Sequence, residues 1–409
     1  MASVFVATFL VARGGGPAVV GAYALLRVLP SLLGMLFSAG LPNAVAYFLS
    51  GSHRHDRQLA LTVVAMAVVG GLVGAAFWVA FAPLFAPLLF PNLSLPLVML
   101  AAGAVVTRVL VVTAKSCCQG NDDLPGSNRV IVLEEFMFLP AYGVLWLAGL
   151  GGYAIIVVGL QLADLGTSTY GWARLKRRGF FRHAARPSLA LARQLAGYGM
   201  RAQVGGIITQ LNLRLDFVIL TLLTGPAVLG VYAIASKFAE LVKIVGMALS
   251  YVLYPRFTKD GPVNAVARAR RLLPRAGLLT AGMIVPLWIA AGFVIPGVYG
   301  SAFEPAVLPA RIILLGLALD GVGGVITGFL YGVGRPGLNS WAMAVGFVGT
   351  LILDLLLIPP FEATGAAAAS AVAYLASGLA LIFFYWRLSR ARSARIWGDR
   401  LVGAGAQRR

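Results

Sequence analysis

Apolar residues run in long blocks along this chain, and polar residues gather between them. The stretch LTVVAMAVVGGLVGAAFWVAFAPLFAPLLF (61–90) holds no charged residue at all. Blocks of about 18 or more such residues are long enough to cross a bilayer as helices. Strands of a membrane barrel would alternate polar and apolar residues over short segments, and these blocks do not. Breaking the chain at Gly, Pro and charge clusters predicts helices near 1–12, 17–49, 56–90, 93–119, 127–150 and 152–175. The second half gives 199–222, 227–254, 264–294, 305–332, 337–359 and 364–390. The pattern therefore predicts an all-α polytopic membrane protein with six helices per half. Its expected domains are an N-terminal bundle (1–175), a basic linker (176–195), a C-terminal bundle (196–390) and a basic tail (391–409).

The halves share a motif. GPAVVGAYA (16–24) returns as GPAVLGVYA (225–233), 209 residues later. LPGSNR (124–129) and RPGLNS (335–340) repeat a Pro-Gly-x-Asn core at an offset of 211. GLGGYA (149–154) corresponds loosely to ATGAAA (363–368). An even number of spans per half makes the two copies parallel repeats, related by an axis along the membrane normal, with a site expected between them. In the motif, Gly supplies backbone freedom and Pro opens the next helix. Small residues allow close helix contact, and Tyr23 and Tyr232 are expected at headgroup level.

Charge refines the picture. The chain is 59% hydrophobic and 11% charged, with a formal net charge of +19. Such an excess in a soluble protein would suggest nucleic acid. Here the basic residues fall in alternate loops, which orients the helices instead. With both termini cytoplasmic, the inner loops hold Arg54, Arg57, Arg129, RLKRRGFFRHAARP (174–187) and RFTKDGPVNAVARARRLLPR (256–275). The outer loops hold only Arg13, Glu304 and Glu362. Trp172, Phe180 and Phe181 within the basic segment 172–187 predict contact with anionic lipids of the inner leaflet. Cys117 and Cys118 are neighbours, a poor geometry for a disulfide. The three histidines, His53, His55 and His183, all lie in basic loops. No metal cluster, catalytic triad or cofactor motif follows from them. GVGGVITG (321–328) lies in an apolar span with no strand before it, so it is not a dinucleotide loop. By the repeat offset Met1 matches Gln210, so the first helix is truncated, and the expected explanation is a true start upstream of Met1.

The stretch LNLRLDFVILTLLTGPAVLGVYAIASKFAELVKIVGMALSYVLYPRF (211–257) resembles the polysaccharide flippase branch of the multidrug/oligosaccharidyl-lipid/polysaccharide exporter superfamily. Leu-Arg-Leu-Asp, Gly-x-Tyr-x-x-Ala and the closing Pro-Arg carry the likeness. The resemblance implies two six-helix bundles facing each other as a V. It also implies transport of polyprenyl-pyrophosphate-linked oligosaccharide from the inner to the outer leaflet of a bacterial cytoplasmic membrane, beside other polysaccharide assembly proteins.

Charged residues at a helix centre cost roughly 2.5–3.5 kcal/mol on insertion scales, so those inside the spans are candidates for function. Arg27 and Lys237 lie at similar depth in related helices, at an offset of 210. With Arg108, Arg214 and Arg311 they form the candidate substrate-binding cations, because guanidinium and ammonium groups suit a pyrophosphate. Lys237 also has Glu240 at i+3, a local ion pair in prospect. Gln203, Gln210 and Arg214 share one stripe of the seventh helix, with Asn212 and Asp216 beside it; with Glu240 these are the expected polar cavity residues. Asp164 and Asp320 are candidates for coupling to a proton or Na⁺ gradient. Of the adjacent Glu134 and Glu135, at most one is expected to face a cavity, and Lys115 is expected to snorkel. Gly70-x-x-x-Gly74, Gly324-x-x-x-Gly328 and Gly328-x-x-x-Gly332 predict tight helix packing.

The reading is a flippase working by alternating access. A lipid II flippase is a near alternative. A multidrug cation antiporter would favour acidic and aromatic cavity residues, whereas several cations lie in these spans. A membrane polysaccharide polymerase would need a larger extracytoplasmic loop bearing catalytic groups than any predicted here.

Overall fold

The computed structural model describes the backbone of residues 2–50 and 56–406, and the side chains of these apart from 2–5, 50, 204–205, 208–209, 212–213, 260–263 and 391–406. His53, Arg54 and His55 lie outside the described residues, as do the side chains of Asn212 and the arginine-rich tail. The chain divides into two compact units, Met1–Gly230 and Val231–Arg409. Seven described segments are long and apolar enough to cross a membrane by length and composition.

The first unit holds α1 (Ala2–Phe37), α2 (Leu41–Ser50), α3 (Leu59–Leu89), α4 (Leu95–Leu100), α5 (Ala102–Gly120), α6 (Leu124–Phe136), α7 (Phe138–Leu147), α8 (Gly152–Arg177) and α9 (Leu189–Thr224). α9 starts ten residues before the pattern placed it, because Ser188 accepts the Leu191 N–H as its N-cap. α1 runs through the expected turn and bends sharply at Gly16 (φ 71, ψ −170). Gly225, at the same place in the second motif, takes φ 93 and ψ 170. Only glycine occupies that region of backbone space readily. The expected helix 17–49 is broken, because Ala39 (φ 50) and Gly40 (φ 71) separate α1 from α2. A Cβ at Gly40 would overlap the Gly199 backbone, so two backbones touch at this break.

The duplicated motifs meet. A Cβ on Gly21 would strike the Pro226 carbonyl, and one on Gly230 would strike the Pro17 carbonyl. Their tyrosines both turn into the protein. Tyr23 is buried against Phe138, and Tyr232 is buried with its hydroxyl 2.8 Å from Ser370 Oγ. A buried phenol needs such a partner, which explains the inward turn. Gly70 and Gly74 pack as their spacing suggested, with a Cβ on Gly74 falling 2.9 Å from Val105. Cys117 and Cys118 are free and buried in a core with Val45, Val63, Leu175 and Leu195.

α10 (Pro226–Ala239) straddles the boundary, and the second unit continues with α11 (Lys243–Tyr299), α12 (Val307–Gly316), α13 (Asp320–Gly332) and α14 (Pro336–Ala406). Short 3₁₀ turns at Ser301–Ala306 and Leu317–Leu319 flank α12. α11 folds back on itself. Gly246 and Thr280 both touch the start of α13, at Asp320 and Gly321, whereas a straight helix would hold them ~50 Å apart. α11 therefore contains the two antiparallel spans that the pattern separated. α14 likewise turns at Glu362 (φ 48), and Gly346 packs on Ala373 and Ser377 of the returning limb. The glycine stripe of α13 lies against α11: Gly324 on Gly246, Gly328 on Ser250, Gly332 on Phe257.

Candidate functional site

Four helices of the first unit bring six charged side chains together. α1 supplies Arg27, α5 supplies Arg108 and Lys115, α6 supplies Glu134 and Glu135, and α8 supplies Asp164. Arg108 and Lys115 are seven residues apart and so project from one face of α5. Glu134 bridges them: Oε1 is 2.6 Å from Arg108 Nη2, and Oε2 accepts from Lys115 Nζ at 3.2 Å. Arg108 Nη1 also lies 3.6 Å from Asp164 Oδ1. Arg27 donates to Tyr23 Oη at 3.2 Å and lies 3.9 Å from Glu135. Three cations face three carboxylates, so the cluster is formally neutral. That balance is what lets charge persist within a membrane span.

Both expectations for the carboxylates and lysine here need correction. Glu134 and Glu135 both line the cavity, because α6 turns one toward Arg108 and the other toward Arg27. Lys115 does not snorkel to a surface, since an ion pair with Glu134 holds it inside. No sequence spacing links Arg108, Glu134 and Asp164, which only the packing of three separate helices unites.

Arg108 sits between two hollows. On one side is a cavity of about 40 Å³ bounded by Arg27, Glu134, Glu135 and Asp164. On the other is a pocket of about 260 Å³ lined by Ser31, Ser38, Asn43, Arg108, Gln203 and Gln210. Ser31 also borders both. The Arg108 Nε hydrogen is buried with no hydrogen-bond partner, while the rest of the guanidinium is committed to carboxylates. The broken end of α1 shapes the larger pocket. Its Met35 carbonyl, freed from the helical ladder, accepts from Ser38 Oγ at 2.8 Å and from Gln203 Nε2. So Gln203, Gln210 and Arg108 share one polar pocket, within the first unit.

The other sequence candidates lie elsewhere. Arg214 stacks on Phe217 at 5.2 Å, and buried Asp216 accepts from the Phe217 N–H. Arg311 donates to the Trp288 carbonyl and covers its ring at 4.4 Å. In the second unit, Lys237 binds Glu240 at 2.6 Å, the local pair that the i+3 spacing allowed. Asp320 accepts from the Gly246 N–H at 3.2 Å, which caps the first turn of α11. A contact that no sequence spacing links lies beside it: Lys243 donates to Tyr374 Oη at 3.0 Å and sits over that ring.

At the end of the spans, Asp123 forms a further network. It caps α6 by accepting from Gly126 N and takes two hydrogen bonds from Arg174, at 2.6 and 2.9 Å. The Arg174 guanidinium holds this carboxyl below the usual carboxylate range.

A balanced charge cluster thus faces polar cavities inside the apolar spans of this multi-pass helical protein. The fold matches that of an inward-facing multidrug resistance MATE family transporter of the MOP superfamily (TM-score 0.77, 12% identity, 96% of this chain and 95% of that one). It also matches lipid II flippase MurJ in an inward closed conformation (TM-score 0.70, 13% identity, 98% and 92%). The chain belongs to the polysaccharide biosynthesis protein family, whose model matches residues 3–259. It is 24% identical to an uncharacterized membrane protein of Methanocaldococcus jannaschii, over 64% of this chain and 53% of that protein. It is 22% identical to a probable low-salt glycan biosynthesis flippase of Haloferax volcanii, over 46% of this chain and 41% of that one. The chain thus spans about half the length of these relatives.

Proposed function

We propose that this protein is a flippase for polyprenyl-pyrophosphate-linked oligosaccharide in a cytoplasmic membrane, with both termini on the cytoplasmic side. The family and the relative named as a glycan flippase support the substrate class. The observation that carries the reading is Arg108, poised between a carboxylate cage and an open polar pocket. A pyrophosphate reaching that pocket competes with Glu134 and Asp164 for the same guanidinium, which suits bidentate phosphate binding. Ser38, Asn43, Gln203 and Gln210 offer the neutral donors and acceptors that sugar hydroxyls need. Releasing Asp164 from Arg108 would free a carboxylate to take a proton or Na⁺, which supplies a route for coupling to an ion gradient. The lipid tail stays in the bilayer.

The test is translocation of a polyprenyl-pyrophosphate glycan in proteoliposomes, comparing wild type with Arg108→Gln. Transport falls at least about tenfold if one charge-assisted phosphate contact is lost. Unchanged transport in a correctly folded variant rejects the site. Efflux of a cationic dye by wild type, without glycan movement, would favour a multidrug antiporter.

A further inference from the structure

Where α11 folds back, its two limbs enclose a groove of about 470 Å³. Arg256 reaches it from the first limb, and Asn264, Arg268, Arg271 and Arg275 from the second. These last four are spaced 4, 3 and 4 apart, so they form one helical stripe. Among the described residues, no Asp or Glu lines the groove.

Two readings of this stripe differ in what they require. Orienting a membrane helix needs only basic residues somewhere in the inner loop. It does not need them on one face, where like charges three and four apart weaken the helix. Arg270, between two members of the stripe, does not line the groove. Convergence of Arg256, Arg271 and Arg275 from two limbs is what an anion requires. The floor is apolar, formed by Leu253, Ala267 and Leu272. The groove also lies at the end of the apolar span Asn264–Tyr299, the level at which headgroups lie.

We infer that this groove binds a phosphate-bearing lipid headgroup at the membrane boundary. The guanidinium groups take the phosphate oxygens, and the leucine floor takes the first carbons of the attached chain. The site is separate from the Arg108 pocket and would capture an anionic headgroup independently of translocation. Two sources share this chemistry: the diphosphate of a polyprenyl carrier, and the phosphodiester of an anionic glycerophospholipid.

The inference stands on the groove and needs no assumption about transport, so a binding assay separates its failure from failure of the flippase reading. Full-length protein in neutral detergent is titrated separately with farnesyl diphosphate and dioleoyl phosphatidylglycerol, and bound adducts are counted by native mass spectrometry. Wild type is compared with Arg271→Gln and with Arg270→Gln, which removes the same charge one residue away. Arg271→Gln weakens binding about tenfold, as expected for one lost charge-assisted contact, while Arg270→Gln stays within about twofold. A loss confined to farnesyl diphosphate supports the site and assigns it to the polyprenyl carrier. A loss confined to phosphatidylglycerol supports it and assigns it to bulk lipid. Equal binding by all three proteins, or equal losses in both variants, overturns it.

Discussion

Replacing Glu134 with Gln keeps the side-chain shape and removes one charge from the cluster. Glu134 is the shared partner of Arg108 at 2.6 Å and Lys115 at 3.2 Å, and its side chain is only 9% exposed. The variant leaves three cations with two carboxylates. Breaking a buried ion pair by removing one partner costs about 3–5 kcal/mol, mostly for the charge left behind. Arg108 keeps Asp164 at 3.6 Å, which places the cost near the lower end, at ~3 kcal/mol. For a unit of this size that corresponds to a loss of roughly 6–12 °C in unfolding midpoint. Size-exclusion thermostability in detergent measures it. The companion experiment is a cycle with Arg108→Gln. If the two groups are paired, the double variant is less damaged than the two single losses combined, by about 2 kcal/mol. Additive losses, or a shift of less than about 2 °C for Glu134→Gln, would refute the account of a balanced cluster.

Two further outcomes follow from the packing and the Asp123 network. Gly21→Leu forces a side chain into the Pro226 carbonyl. It should cost about 1–3 kcal/mol by overpacking, read as reduced thermostability; a fully stable variant would show that the helices can part freely there. Asp123→Asn should destabilise the protein at neutral pH, because Arg174 and Arg178 lose their carboxylate. Since the folded carboxyl titrates below its unfolded value of about 3.9, its contribution is fully present above that pH and fades as pH falls below it. The gap between wild type and Asp123→Asn, measured by thermostability across pH, should narrow below about pH 4; a constant gap contradicts the ion-pair account.

Much of the architecture was legible because membrane spans are long and almost uninterrupted. Helix interruptions were harder to read. Ala39 and Gly40 break a span that reads as continuous, and the reason lies across the fold, where Gly40 meets the Gly199 backbone. In α11 the chain reverses where charge and proline marked a loop in the sequence, and Gly246 and Thr280 both pack on the start of α13. Arg27 and Arg108 stood out because a charge within an apolar run is conspicuous. Glu134, Glu135 and Asp164 stood out in the same way, but their pairing with the arginines did not, because they come from helices whose mutual rotation no periodicity in one helix reveals. The i+3 pair Lys237–Glu240 needed no such knowledge and was visible directly.

The contact between the duplicated motifs is reciprocal: the Pro of each copy lies over the Gly of the other. In such self-complementary contacts one surface serves as both lock and key. A bulkier residue in either copy is therefore felt by both, and no compensating change is available where backbone touches backbone. That gives a physical reason for Gly and Pro to stand at matching places in both copies. Each copy is the other's mould.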